Sequence, residues 1–478
     1  SMSSSVASKC LLEELSSYYC RFIEPKLKKT PQIKSHRKQS MHPVSSTSWH
    51  AYQALEDEKQ RLISELKSGD RLLLVKAQNN LNSVATVRAA LALGKSAGLI
   101  DPALFSEFQR SGETQTTDNA EILCSTKAVP GPGIVCFTSG STGSAKGIKR
   151  SVESWINTYD LQRRTLNQEL DASVLILGNI AHSLHFYAAM EALDREVVPN
   201  ILASFTPKRV IDACVHGRPE ILYATPSHIG LILAQTKTYL PLPLDSVRLI
   251  LTGGAKFNER NLSPLRDVFP EATIIEFFGT TETSYMTIKE PFAPKGSVGK
   301  QCEGVDIQVR GIKNQLLPTG QEGTLWVKSN MLFSRYIVGE DLNTRWQDGY
   351  LTIGDQGFLD EAGHLYFTAR TGSMVTVAGE NVYLDKIERL LNRFVLRGEA
   401  VVVPITNKIR GNQLVAMTQF KLPDNLKDEA LKAMRAEFGH TKSPRTIIHA
   451  PIWPFLPSGK VDRQRLAGLA AEILAATV

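Results

Sequence analysis

No run in this 478-residue chain approaches the roughly 20 apolar residues of a membrane-spanning helix, so the sequence predicts no span. Cysteine is sparse. The six residues Cys10, Cys20, Cys124, Cys136, Cys214 and Cys302 are scattered and form no CxxC pair. A disulfide framework or cysteine-held zinc is therefore not expected, and a reducing cytoplasm is. The first residues, SMSSSVASKC, lack the apolar stretch of a signal peptide. Acidic side chains do not dominate either: the formal net charge is +7. Part of that charge sits in residues 21–39, where seven lysines and arginines face one acid, Glu24. The segment lacks the interleaved aromatics of single-strand binders, so it reads as a solvated arm and no nucleic-acid partner is expected.

What is present is ordinary globular composition, 42% hydrophobic and 22% charged, with length enough for about three subdomains at roughly 150 residues each. Strand-like runs (RLLLV, IVCF, SVLIL, EILYA, VRLIL, ATIIEFF) alternate with helix-length patterns such as VESWINTYDLQRRTL and PKRVIDACV. That alternation predicts a mainly parallel, layered α/β domain. Near residue 300 the pattern changes to antiparallel strands with a hairpin turn at DEAGH. After Arg370 a short α+β pattern follows. The expected fold is thus α/β: a large N-terminal layered domain with an antiparallel β portion (1–370), and a small mobile α+β domain (371–478).

Residues 137–147, FTSGSTGSAKG, carry three glycines, five hydroxyls and one lysine, after a buried-strand pattern. Successive N–H groups in such a turn form an anion nest. Thr138, Ser139, Ser141, Thr142 and Ser144 add donors, Gly140, Gly143 and Gly147 permit unusual φ, and Lys146 adds a mobile charge. Lys149 and Arg150 precede the N-cap Ser151, where positive charge opposes the helix dipole unless an anion is near. The Walker pattern GxxxxGK[ST] fails: counted from Gly140, Ala145 replaces glycine and Gly147 replaces the magnesium-holding hydroxyl. A P-loop kinase or NTPase is disfavoured.

The loop resembles the TSGSTGxPKG signature of the adenylate-forming superfamily of acyl-CoA synthetases, peptide-synthetase adenylation domains and luciferases. Five later blocks follow in that family's order. LILTGGAKF resembles SGGAPL, FFGTTET resembles YGxTE, and YLTIGDQGFLDEAGHLYFTAR resembles RTGDLGYLDEDGYLYFxGR. VTVAGENVYLDKIE resembles MIxxGGENIYPxEIE, and FLPSGKVDR resembles TPSGKIDR. The likeness is greatest to the shorter acyl-CoA ligases.

The resemblance implies ATP-dependent activation of a small carboxylic acid as an acyl-adenylate, with release of pyrophosphate. The acyl group then passes to CoA, or else to a carrier-protein phosphopantetheine or an amine. A non-catalytic nucleotide-binding protein is the alternative of another class. The implied roles attach to particular residues of this sequence. The loop at Thr138, Ser139, Gly140, Ser141, Thr142, Gly143 and Lys146 would hold the β and γ phosphates. Glu282, helped by Thr138, would ligate Mg2+, and Thr281 would bond the α-phosphate. Gly253, Gly254, Ala255, Phe278, Gly279 and Thr280 would border the adenine and phosphates. Asp355 would bind the ribose hydroxyls, and Arg370 the ribose or phosphate. Lys460 would bridge carboxylate and α-phosphate during attack. His182, Phe277, Tyr187 and Tyr223 would line the acyl and acceptor pocket. Relatives often carry Asp or Lys two residues after the motif arginine as the hinge between two domain orientations. Here that residue is Gly372, which permits rotation but offers no side chain to fix either state. In the second orientation the loop Gly379–Glu380–Asn381 would face the site.

Overall fold

The computed structural model describes Asp57 and residues 71–476, except 110–111, 117–119, 130, 140–144, 170, 237–242, 256, 291, 378, 408–410 and 457–458. The basic segment 21–39, Gly140, Ser141, Thr142, Gly143 and Ser144 lie outside the described residues.

Two seven-stranded sheets form the frame. The first runs Arg335–Val338, Ala145–Arg150, Gly133–Ser139, Ser96–Ile100, Arg71–Lys76, Glu121–Ala128 and Gly112–Thr116. The second runs Lys300–Gln301, Ser284–Lys289, Thr273–Thr280, Leu249–Thr252, Ile221–Ala224, Val174–Ile176 and Asn200–Ile201. Alternation along each strand sends side chains to two faces. Val75, Leu99 and Ile134 of the first sheet and Ile176, Tyr223 and Leu251 of the second meet in one core with the helices Leu81–Ala92, Val152–Leu166 and Ser183–Asp194. The opposite face of the second sheet, through Leu175, Leu222 and Ile250, packs on Pro207–Gly217, Pro226–Thr236 and Leu262–Val268. The opposite face of the first sheet, through Leu74, Val135 and Phe137, covers Phe105 of Pro102–Phe108. The result is a layered α/β domain, as expected.

The second sheet is mainly parallel. The first is not: only Ser96–Ile100 pairs in parallel, with Arg71–Lys76 on one side and Gly133–Ser139 on the other. The departure comes from the Glu121–Ala128 and Gly112–Thr116 strands at one edge and from AKGIKR near the other. Its three cationic side chains hide a strand pattern, yet Ala145–Arg150 pairs antiparallel with Gly133–Ser139. Lys149 and Arg150 are also not turned to an anion. Lys149 Nζ donates to Gly131 O at 3.0 Å. The buried Arg150 guanidinium donates to Ser154 Oγ, Ser154 O and Thr158 Oγ1 at 3.1, 2.9 and 2.9 Å. Ser151 does cap the helix that follows, accepting from Ser154 N at 3.1 Å.

A third, antiparallel sheet contains Gly323–Lys328, Asp355–Leu359 and Leu365–Arg370, with Gly363 at φ 79° in the DEAGH turn. The last sheet is built from Glu380–Tyr383, Met374–Val377, Gly411–Thr418, Ala400–Asn407 and Ile447–His449. It has its own core on each face, one with Leu384–Leu391 and Asp424–Lys442, the other with Arg463–Ala476. A small α+β domain thus follows the large one. No helix among the described residues is long and apolar enough to cross a membrane.

Candidate active site

The parallel strands Ile221–Ala224, Leu249–Thr252 and Thr273–Thr280 end side by side, and in open α/β sheets the crevice at such carboxyl ends is where ligands bind. Gly253 and Gly254 leave the second of these strands. A Cβ on Gly253 would lie 2.5 Å from the Phe277 ring, so glycine is what lets that ring cross the strand end. Gly254 has φ 82°, and a Cβ there would stand 3.7 Å from Lys460 Cε. Ala255 is exposed beside it. The Lys460 side chain therefore reaches the large domain at the strand terminus, although it lies 178 positions after Glu282 in the sequence.

Strand Thr273–Thr280 supplies Phe277, Phe278, Gly279 and Thr280. Phe277 and Phe278 point to opposite faces. Phe277 packs on Tyr285 at 4.6 Å between centroids, and Phe278 on Phe367 of the third sheet at 5.2 Å. Gly279 stands so near the partner strand that a Cβ would come within 1.8 Å of Ser284 O. The turn that follows is held by Thr280 and Thr283, each accepting the other's N–H on its hydroxyl at 3.3 and 2.9 Å. It presents Thr281, whose Oγ1 donates to Ser183 Oγ at 3.0 Å, and the buried Glu282. Tyr336 OH donates to Glu282 Oε1 at 2.9 Å.

Asp355 opens its strand directly opposite Arg370, which donates Nε and Nη2 to the two carboxylate oxygens at 2.7 and 3.2 Å. The carboxylate beside it holds Arg370 firmly protonated, its pKa raised above the usual guanidinium range. Each Asp355 oxygen keeps a further lone pair for another donor. Lys460 follows Gly459 in a tight turn in which Gly459 N donates to Leu456 O at 2.8 Å and Leu456 N to Lys460 O at 2.7 Å. Gly459, at φ 77°, rests against Thr225 and His228. Lys460 keeps solvent contact. Its pKa is lowered by the surrounding protein and then by Arg370, with Glu282 acting in the opposite sense.

Thr138 sits opposite Lys146 in the hairpin, and Ser139 ends the first of its strands. Lys146 pairs with Asp341, whose carboxylate also accepts from Asn343 N at 3.0 Å. Burial raises the Asp341 pKa, but the bonds from Lys146 and Asn343 outweigh it and the net shift is downward.

His182 begins Ser183–Asp194 and its Nε2 is buried with no hydrogen-bond partner. Burial, outweighing nearby Asp101, and then Lys460 take its pKa down to about 4. It is neutral at pH 7. His185 is buried deeper, against Gly178. Tyr187 and Tyr223 are buried in the core, and with Tyr285 their hydroxyls meet on Gln162 at 3.0, 2.8 and 2.7 Å. A cleft of about 350 Å3 opens beside the Lys460 turn, bounded by Asn79, Asn179, Ser204, His228 and Leu456.

The residues brought together are thus Lys460, Gly254, Arg370, Asp355, Glu282, Thr281 and His182, while Tyr187 and Tyr223 stand behind Phe277 and Tyr285. Tyr336, Asp341 and Ser183 escaped the sequence reading. Each is the partner of a predicted residue, and no spacing rule marks such a partner.

The AMP-binding enzyme family matches residues 49–337, more than half of the chain. The chain belongs to this family. Among curated relatives, the uncharacterized acyl-CoA ligase YhfT of Bacillus subtilis (strain 168) is 28% identical over 339 residues, covering 70% of this chain and 68% of that protein. The 4-chlorobenzoate-CoA ligase of an Arthrobacter species is 25% identical over 420 residues, covering 84% and 78%. Among solved structures, ATP-bound MatB from Rhodopseudomonas palustris superposes with a TM-score of 0.70 at 20% identity, covering 88% of this chain and 94% of MatB. The amide bond synthetase McbA from Marinactinospora thermotolerans gives 0.67 at 19%, covering 87% and 94%. The fold of this AMP-binding enzyme is therefore that of adenylate-forming enzymes, and the protein is an AMP-forming, acyl-CoA ligase-type enzyme.

Proposed function

We propose that the protein joins a small carboxylic acid to CoA in two half-reactions at this one site, the large domain being residues 1–370 and the small one 371–478. One observation carries the reading: Lys460 reaches Gly254 with Arg370 and Glu282 as its charged neighbours. In the first half-reaction a carboxylate oxygen attacks the α-phosphorus of ATP. The new P–O bond forms as the bond to the β-phosphate oxygen breaks, and pyrophosphate leaves. Two anions must meet, so the site has to supply positive charge where the transition state needs it. Lys460 bridges carboxylate and α-phosphate, Arg370 and Thr281 hold the phosphate and ribose side, and Asp355 accepts from the ribose hydroxyls. Thr138, Ser139, the loop 140–144 and Lys146, released from Asp341, take the outgoing phosphates.

Glu282 presents a hard carboxylate oxygen beside Tyr336, whose strand is separated from Thr138's by Ala145–Arg150 alone. A magnesium ion takes oxygen ligands and needs only one or two from protein when phosphates and water supply the rest. Glu282, with Thr138, would hold it, and the chemistry it would supply there is neutralisation of phosphate charge. In the second half-reaction the thiol sulfur of CoA attacks the acyl carbonyl, AMP departs with the C–O bond, and the thiol proton passes to solvent. Neutral His182 lines the place where acyl group and thiol meet. Cytoplasmic location accords with these substrates.

ATP–pyrophosphate exchange over a panel of carboxylic acids, with AMP formation measured in the presence of CoA, a phosphopantetheinylated carrier or a primary amine, tests the reading. Exchange with at least one acid and AMP release dependent on CoA is expected. Turnover with carrier or amine alone would reassign the acceptor, and no exchange with any acid would overturn the proposal.

A further inference from the structure

Gly372 sits in the three-residue turn Thr371–Ser373 between the third sheet and the last. The turn is anchored on both sides. Thr371 donates its N–H and hydroxyl to Gly354 O at 3.0 and 2.6 Å, which ties it to the large domain. Ser373 Oγ donates to the carboxylate of Asp385, which also accepts Arg370 N–H at 3.0 Å and belongs to the first helix of the small domain. Gly372, between the anchors, contributes no side chain that could tell one domain orientation from another.

The contact that can do so is one residue further along that helix. Lys386 Nζ lies 2.8 Å from Glu322 Oε1 of the large domain. Thr368 Oγ1 donates to the same oxygen at 2.9 Å. Burial raises the Glu322 pKa, but the bonds from Lys386 and Thr368 outweigh it and the net shift is downward. The segment GENVYLDKIE has lysine where the motif GENIYPxEIE has its second glutamate. The helix therefore presents the opposite charge at this point, and an acid on the large domain meets it. Among the described residues, and besides the bond from Arg370 N–H to Asp385 at the turn, Asn258 Nδ2 donates to Gly398 O and Arg260 Nη2 to Arg393 O across the interface, both at 3.2 Å. Both end on backbone carbonyls, whereas Lys386 and Glu322 join opposite full charges. All of these contacts coexist with Lys460 at Gly254.

We propose that the Lys386–Glu322 pair is a latch holding the small domain in the orientation that places Lys460 in the site, a task Gly372 cannot perform. The inference rests on the two-step reading above. Lys386 and Glu322 are positioning residues, and neither touches substrate. Their side chains are 31% and 39% exposed. A pair so placed biases an equilibrium by no more than roughly fivefold.

The test separates the half-reactions in the full-length enzyme. Glu322→Gln and Lys386→Glu should slow ATP–pyrophosphate exchange by roughly two- to fivefold, without slowing acyl transfer from supplied acyl-adenylate. The charge-swapped double variant Glu322→Lys/Lys386→Glu should recover exchange. Equal loss in both steps, no loss in either, or failure of the swap to recover would overturn the latch. A second readout needs no activity, so it keeps the latch testable if exchange fails altogether. Spin labels on cysteines introduced at the exposed Ile312 and Ile452, in a background without accessible native cysteines, report the distance between domains. A narrow distribution that broadens in Glu322→Gln and narrows again in the swap supports the latch. An unchanged distribution in Glu322→Gln refutes it.

Discussion

At the residue scale the site is defined by three charges near one strand end, and each has a distinct electrostatic task. Lys460 is the cation delivered from the small domain. Its pKa is lowered by the surrounding protein and by Arg370, so the ammonium gains when an anion comes to stand beside it. Replacing it by alanine should cost adenylation about 10²-fold or more, ~3 kcal/mol, the scale seen when one preorganised donor to a transition state is removed. Transfer from supplied acyl-adenylate should survive, and equal loss in both steps would contradict the assigned role. Glu282 depends on a neighbour that no motif announces. Tyr336 fixes one carboxylate oxygen at 2.9 Å. A hydrogen bond to a charged group contributes about 1.5–3 kcal/mol. Tyr336→Phe should therefore raise the magnesium concentration for half-maximal exchange by about tenfold or more, with the melting temperature recorded alongside. An unchanged magnesium requirement would remove Tyr336 from the metal's support.

At the element scale, helix starts and strand ends do the positioning, and they also make stability pH-dependent. His182 heads Ser183–Asp194 and His228 lies in Pro226–Thr236, and burial brings both pKa values down to about 4. An unfolded histidine takes up its proton near pH 6.5, whereas these two remain neutral in the fold until about pH 4. Between those values the unfolded state binds more protons, so stability falls as pH drops. Urea unfolding at pH 7 and pH 5 should show lower stability at pH 5, and His228→Gln should flatten the difference. Another element-scale contact is the fork of Arg463 on Glu388, which ties the start of the last helix, three residues after Lys460, to Leu384–Leu391. Glu388 also accepts Val402 N at 2.8 Å. Arg463 is 44% exposed, so its removal should cost less than the ~3–5 kcal/mol of a fully buried pair, about 1–3 kcal/mol. Chemical denaturation of Arg463→Ala checks it.

Much of this was legible from sequence because strand ends and turns carry glycine, threonine and acid at fixed spacings. GTTE, GDQG and SGK each mark a local geometry, and the structure brings their charged members together. The first sheet was harder. AKGIKR has the composition of a surface strap, yet as a strand its Arg150 finds buried acceptors in the helix that follows, at Ser154 and Thr158, while Lys149 reaches Gly131 O. The same limit hid Tyr336, Asp341 and Glu322. A partner across a sheet or domain boundary leaves no periodicity in the chain that carries it.

At the scale of the whole molecule, the proposed reaction asks one polypeptide connection to serve two chemical steps. The turn Thr371–Ser373 is pinned to Gly354 before Gly372 and to Asp385 after it, and because Asp385 also accepts Arg370 N–H, a rotation at Gly372 must break that one bond across the turn. In this structure Gly372 is not among the residues at positive φ, so the freedom peculiar to glycine is unused in the adenylating arrangement and remains available for the other. Proline fixes φ near −65°, a value that suits a three-residue 3-10 turn. Gly372→Pro should therefore retain ATP–pyrophosphate exchange within a few-fold while acyl transfer to the acceptor falls by an order of magnitude or more. Single-turnover measurement of each half-reaction distinguishes the two effects. If transfer stays intact in that variant, the rotation does not pass through Gly372, and the Gly379–Glu380–Asn381 loop has to be carried to the site by a hinge elsewhere in the chain.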